Sequence, residues 1–202
     1  RTGEKKNMSL TKDVYVTTGK VRFGYVTLVT PKTPKNSDVA KFSLMLMIPK
    51  SDKQTLKELR QAEKNAYEAA VTAKWGGKRP KMKSIIKDGD GTKDNGEPYG
   101  DECKGHYVMN VSSTRRVPVV DRHNNLIDPA DVKSGDYGRA NINAFGYSGE
   151  ARGVTFGLNL VQFLREGDPL GGGISVEAAF GDPFEDVDDD EDDEFEFEFD
   201  SD

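Results

Sequence analysis

Cysteine is almost missing from this chain: Cys103 is the only one in 202 residues. No internal disulfide can form, and a reducing compartment is the expected setting. Histidine is nearly as scarce, and His106 and His123 together with Cys103 make no zinc-ligand pattern. No apolar run approaches the length that spans a membrane, and no signal-peptide pattern precedes the domain. Helical periodicity is confined to one stretch. Basic residues are absent from the last eighteen positions, EDVDDDEDDEFEFEFDSD, of which thirteen are acidic.

That last absence splits the charge. The formal net charge is −6, but residues 1–184 hold all 29 Lys and Arg against 22 acids and stand at +7, while residues 185–202 stand at −13. Such asymmetry points to a basic surface for a polyanion beside a separate acidic tail. The tail is expected to be disordered, yet Phe195, Phe197 and Phe199 lie within it at alternate positions. A purely solubilising segment has no use for three rings, so they are assigned to partner binding. The opening RTGEKKN, residues 1–7, reads as residual vector sequence ahead of Met8. One domain is expected over 8–184, long enough for a sizeable core.

β-Branched and aromatic residues dominate VYVTTGKVRFGYVTLV (14–29), which reads as one or two strands broken at Gly19. AKFSLMLMI (40–48) is a strand with Phe42, Leu44, Leu46 and Ile48 on one face. Pro49 ends it. Ser51 is placed to cap a helix, with Gln54 three residues on. Leu56, Leu59, Ala62, Ala66, Ala69 or Ala70, and Ala73 then recur at helical spacing until Gly76-Gly77. Residues 76–102 read as a long basic loop with a short ordered piece around Ser84–Ile86. Strands follow at 105–113 and 116–121, with a turn at His123-Asn124-Asn125. A hairpin is expected from 136–147 and 153–164. Many strands with one inserted helix predict a mainly β chain, a small closed or partly open barrel with long loops.

The strand 137–147 carries the most information. Side chains alternate faces along a strand, so Gly138, Ala140, Ile142, Ala144 and Gly146 form one small face that fits a tight interior. The other presents Tyr137, Arg139, Asn141, Asn143, Phe145 and Tyr147. Rings that stack on bases, amides that adapt to base edges and a guanidinium for phosphate suit single-stranded nucleic acid. Lys78, Arg79, Lys81, Lys83 and Lys87 in the long loop, and Lys104, Arg115 and Arg116 around a strand, are candidates to extend such a groove along a phosphate backbone, with Lys81 and Lys83 foremost in the loop.

Other motifs fail on spacing. DGDGTKDNGE (88–97) tempts a calcium reading, but an EF-hand loop from Asp88 would need glycine at Lys93 and glutamate at Tyr99. Neither histidine has a serine or cysteine at catalytic spacing. GDPLGGG (167–173) lacks the Lys-Ser/Thr of a P-loop. No catalytic residue, metal site or cofactor is expected, and the protein is read as a binding protein rather than an enzyme.

The order VRFGYVTLVTPK, KFSLMLMIPKSD, GHYVMNVSS, RVPVVD, SGDYGRANINAFGYS and RGVTFGLNLVQFLREG resembles a phage-encoded family of single-stranded DNA-binding proteins, over about Val14–Phe184. The resemblance implies an OB-fold, a five-stranded barrel, that coats single-stranded DNA without marked sequence preference in replication, recombination or repair. It also implies the cytoplasm of an infected bacterium as the place of action. Replication or recombination proteins are the expected partners of the tail, which is also expected to compete with DNA; self-association is left open. The aromatic of this tail lies near its end rather than at it. Two rival readings remain: an acidic-tail interaction or DNA-mimic protein with no strand binding of its own, and a nuclease, which would need clustered carboxylates around Mg²⁺.

Overall fold

The β-branched and aromatic runs form strands where the alternation expects them. The computed structural model describes residues 13–35, 37–170 and 179–181. The chain divides into two units, Arg1–Gly171 and Gly172–Asp202; every element below belongs to the first. The vector-like residues 1–7 and the tail with its three phenylalanines lie outside the described residues, as does the expected boundary at 184.

Among the described residues eight strands follow in chain order: β1 (Tyr15–Thr17), β2 (Val21–Lys32), β3 (Lys41–Pro49), β4 (Lys87–Asp88), β5 (His106–Ser113), β6 (Val119–Val120), β7 (Tyr137–Ser148) and β8 (Arg152–Arg165). An α-helix, α1 (Lys53–Ala73), stands between β3 and β4. Five strands close a ring. β2 pairs with β3 and β3 with β5, both antiparallel; β5 runs parallel to β8; β8 pairs antiparallel with β7, and β7 returns to β2. The strand pattern predicts a small closed or partly open barrel, and the resemblance implies five strands; the ring is closed and has five.

β1 and β2 are one strand with a break. Both lie along the same edge of β7, β1 opposite Asn141–Asn143 and β2 opposite Tyr137–Gly138. Thr18 bridges the break, since its N–H donates to the Ala140 carbonyl at 3.0 Å and its Oγ1 accepts from the Ala140 N–H at 3.0 Å. Following directly opposed residues round the ring gives Tyr15, Asn143, Gly157, Ser112, Ser43 and Thr27. The path returns to the first strand twelve residues beyond its start, so the barrel is strongly sheared and its strands tilt.

The core fills the ring. Phe23, Leu28, Leu44, Leu46, Ile48, Met109, Val111, Ile142, Phe156 and Val161 are all buried there. The small face of β7 is required by close neighbours: a Cβ at Gly138 would meet the Phe23 ring, and one at Gly146 would meet the Cβ of Ala70 on α1. The helix therefore closes one end of the barrel, burying Leu56, Leu59, Ala62, Ala66, Ala70 and, just past its end, Trp75. Ala69 and Ala73 face solvent.

Two local expectations are corrected. The helix is capped by Asp52, whose side chain accepts from the Thr55 N–H at 3.1 Å, rather than by Ser51. A carboxylate satisfies an orphan N–H at this position as well as a hydroxyl does. The strand expected over 116–121 is reduced to Val119–Val120. Pro118 cannot donate to a ladder, and pairing with β8 begins only beyond it, where the Val161 N–H donates to the Pro118 carbonyl at 3.1 Å.

Outside the ring, β3 carries a second apolar layer. Met45 and Met47 point away from the core and are buried with Val108 and Cys103 beneath the long loop. The Cys103 thiol is pushed up by burial first and by the neighbouring Glu102 carboxylate second.

Candidate nucleic-acid interface

The alternation on β7 holds. Gly138, Ala140, Ile142, Ala144 and Gly146 are buried, and the odd positions are partly or fully exposed. Phe145 and Tyr147 are 41% and 43% exposed, so neither is hidden under the helix or a loop. Each ring lies over a glycine of β8: a Cβ at Gly157 would sit 3.3 Å from Phe145 Cε1, and one at Gly153 would sit 2.6 Å from the Tyr147 hydroxyl. The Lys74 ammonium is 6.0 Å from the Phe145 ring centre and donates to the Gly146 carbonyl at 2.6 Å. The Trp75 indole donates to the Tyr147 carbonyl at 3.1 Å, which fixes the outer end of the strand.

The polar members of this ribbon are already partly engaged. Asn141 donates to Thr17 Oγ1 at 2.9 Å and accepts from Asn159 at 3.1 Å. Arg139 donates through Nε to the Thr18 carbonyl at 3.0 Å. Tyr137 differs from the other two rings, because the Arg165 guanidinium lies 4.1 Å from its centre. That face is taken by a cation.

A second feature was not foreseen. Across the outer faces of β2, β3 and β5 runs a cleft of about 900 Å³, walled on one side by the long loop. Five lysines line it: Lys32, Lys41, Lys83, Lys87 and Lys93. Of the basic residues singled out from the sequence, Lys83 and Lys87 are among them. Lys81 is exposed on the same loop, Arg115 and Arg116 lie past the end of β5, and Lys104 precedes its start. Arg116 stacks over the Phe42 ring at 5.9 Å, while Lys104 is paired with Asp101 at 2.9 Å. Among the described residues no carboxylate pairs with Lys32, Lys41, Lys87 or Lys93, and Lys83 meets Asp94 only at 4.0 Å.

Tyr25 stands at this cleft with 72% of its surface exposed. Its φ of 45° is in the left-handed region, where the β2–β3 register slips between Gly24 and Thr27. A bulge of this kind re-aims one side chain out of the alternation, at a cost in backbone strain.

The loop wall is held by side chains from α1. Ser84 Oγ donates to the buried Glu63 carboxylate at 2.9 Å and accepts from Arg60 at 2.9 Å, and the Tyr67 hydroxyl donates to the Pro80 carbonyl at 2.9 Å. The far end is clamped by Lys50, whose ammonium contacts Asp88 at 2.6 Å and Asp90 at 2.7 Å. Asp90 also accepts from the Gly105 N–H at 3.1 Å. The two carboxyls are held below the usual carboxylate range, chiefly by the hydrogen bond from Lys50. The stretch that tempted a calcium reading is a turn organised on an ammonium. No cluster of three metal-ligating side chains occurs among the described residues, and no described helix is long and apolar enough to cross a membrane.

Cleft and ribbon are joined. The path Thr27, Ser43, Ser112, Gly157, Asn143, Tyr15 crosses from one to the other on the outer face, through residues that are all small or polar until Tyr15. At about 4.8 Å per strand its five steps cover roughly 24 Å of curved surface. Lysines stand at one end, and Phe145 and Tyr15 at the other.

Comparisons with known proteins agree with this architecture. A protein of Acyrthosiphon pisum secondary endosymbiont phage 1, designated p50, is 26% identical over 175 residues, covering 80% of this chain and 90% of that one. The single-stranded DNA-binding protein from bacteriophage Enc34, solved in complex with ssDNA, superposes with a TM-score of 0.66 at 19% identity, over 79% of this chain and 91% of that one. The single-stranded DNA-binding protein gp2.5 of bacteriophage T7 gives a TM-score of 0.52 at 13% identity, over 80% of this chain and 97% of the other. At these identities the structural likenesses concern the fold. Residues 14–195 match the family described as the ssDNA-binding protein of Enterobacter phage Enc34, and the chain belongs to that family.

Proposed function

We propose that this protein coats single-stranded DNA stoichiometrically, without catalysis and largely without sequence preference, during phage replication, recombination or repair in the host cytoplasm. The observation that carries the reading is the continuous outer-face path from five lysines to exposed rings. Lysines neutralise phosphate as point charges without reading sequence, and small polar residues between them let a backbone lie close. Bases then turn toward Tyr25 on one side and Phe145 and Tyr147 on the other, since any base offers a face to stack on. The amides of Asn141 and Asn143 border the same path.

The tail belongs to the proposal in a second capacity. Thirteen carboxylates tethered to a basic domain remain at high local concentration near any cationic groove. They compete with DNA, and once displaced they are available, with Phe195, Phe197 and Phe199, to replication or recombination proteins.

Fluorescence anisotropy with a labelled oligothymidylate at two salt concentrations tests the central claim. Salt-sensitive binding by a protein lacking residues 185–202 is expected. A tail-less protein that binds nothing would instead favour the DNA-mimic reading. Strand cleavage on adding Mg²⁺ would favour a nuclease.

A further inference from the structure

At the end of the barrel remote from the β7–β8 turn, three cations gather on one ring. Arg165, Arg22 and Lys20 lie 4.1, 5.6 and 6.0 Å from the Tyr137 ring centre. The strand register makes this a row: Arg22 of β2 is opposite Tyr137 of β7, which is opposite Arg165 of β8. Among the described residues none of the three has a carboxylate at ion-pair distance. Like charges held this close repel one another.

The fold holds them with neutral acceptors instead. Arg22 donates through Nε to the Gly135 carbonyl at 3.0 Å and through Nη2 to the Asp168 carbonyl at 2.8 Å. Arg139, two residues along the same face from Tyr137, is held by the Thr18 carbonyl in the same manner. A carbonyl orients a guanidinium without cancelling its charge, and leaves the other donors of the fork for an anion. The Tyr137 ring spaces the cations and offers them its π-face.

We propose that this row is a second phosphate station for the same DNA strand. The inference rests on the single-strand reading above. It lies on the outer face of β7, continuous with Asn143 and Phe145, and this continuity favours nucleic acid over an acidic protein. Eight residues separate Tyr137 from Phe145, roughly 26 Å along the strand. Arg22 stands nearer the cleft, three residues from Tyr25 on β2, but the path from the lysines to Phe145 turns away from it across β3, β5 and β8. A short oligonucleotide lying along that path leaves the row empty, and a longer one reaches it.

The test compares two oligothymidylates, of about 6 and about 16 nucleotides, near the ends of the range one OB barrel covers. The proteins are full-length wild type, Arg165→Gln, and the double change Arg22→Gln with Arg165→Gln. Arg165 is exposed, so its replacement leaves folding intact even if the double variant does not fold. With the longer strand, the log–log salt slope is expected to flatten by about 0.7 for the single variant and about 1.4 for the double. Affinity for the shorter strand stays unchanged. Equal loss for both lengths would overturn the proposal by placing the row in the main site. No loss at either length would overturn it too, and lost binding of poly-glutamate in that case would reassign the row to an acidic protein segment. A wild-type protein that binds neither strand would defeat the single-strand reading itself.

Discussion

Phe145 and Tyr147 stand out from the barrel because the neighbouring strand gives up its side chains beside them. Gly157 and Gly153 leave room for each ring against β8, and both rings stay nearly half exposed. Replacing Phe145 or Tyr25 with alanine is expected to weaken single-strand binding by about 1–3 kcal/mol in a titration. Thermal stability should change little. Gly146→Ala is expected to do the reverse. Its methyl meets Ala70 of the helix, an overpacking cost of about 1–3 kcal/mol in denaturant unfolding, with affinity per folded molecule unchanged. Cys103, buried and with a raised thiol pKa, should resist maleimide at neutral pH until the protein unfolds; rapid labelling of the native protein would contradict its placement. The odd–even pattern of β7 could be read from sequence because alternation is a property of a single strand. Tyr25 could not. Its exposure comes from a bulge, and the only local hint is the Gly24 before it.

At the scale of elements, the cap and the clamp make separable predictions. Asp52→Ala should cost about 1 kcal/mol of stability, as loss of a helix N-cap does, whereas Ser51→Ala should be near neutral. Equal costs would return the cap to Ser51. Lys50 ties the end of β3 to the turn at Asp88 and Asp90. Both carboxyls are lowered in the folded protein, so their contribution is present above the ordinary carboxylate value of about 3.9 and is lost as pH falls through the folded values. The gap in melting temperature between wild type and Lys50→Gln should therefore hold steady near neutrality and close below about pH 4. A gap that persists in acid would mean that Lys50 acts by packing alone. Strands, helix and hairpin were legible because each is a local pattern. The lysine cleft was not. Its five cations come from the end of β2, the start of β3 and three points on the long loop, and only strand pairing and the return of the loop bring them together. Lys83 and Lys87 apart, the basic residues that sequence density picks out lie at other positions, Arg79 and Lys104 in ion pairs.

For the whole molecule, the split between a +7 body and a −13 tail is the largest electrostatic fact. Deleting residues 185–202 should tighten single-strand binding. The gain should be greatest at low ionic strength and shrink as the Debye length falls to about 8 Å under physiological salt. Changing Phe195, Phe197 and Phe199 to serine should reproduce part of it without altering charge. Affinity that ignores truncation at every salt concentration would leave the tail as a partner handle or solubiliser. The ring itself is unevenly stitched. β7 and β8 are zipped by twelve opposed pairs across a short turn, but β5 meets β8 at Ser112 and Gly157 alone. That parallel seam joins segments more than forty residues apart in the chain. Loop-closure entropy must be spent before such a contact returns anything, so the hairpin can form early while the barrel shuts late. Refolding should be slow for a domain of this size, in the millisecond-to-second range. Substitutions that loosen the seam should speed unfolding while leaving the refolding rate nearly untouched.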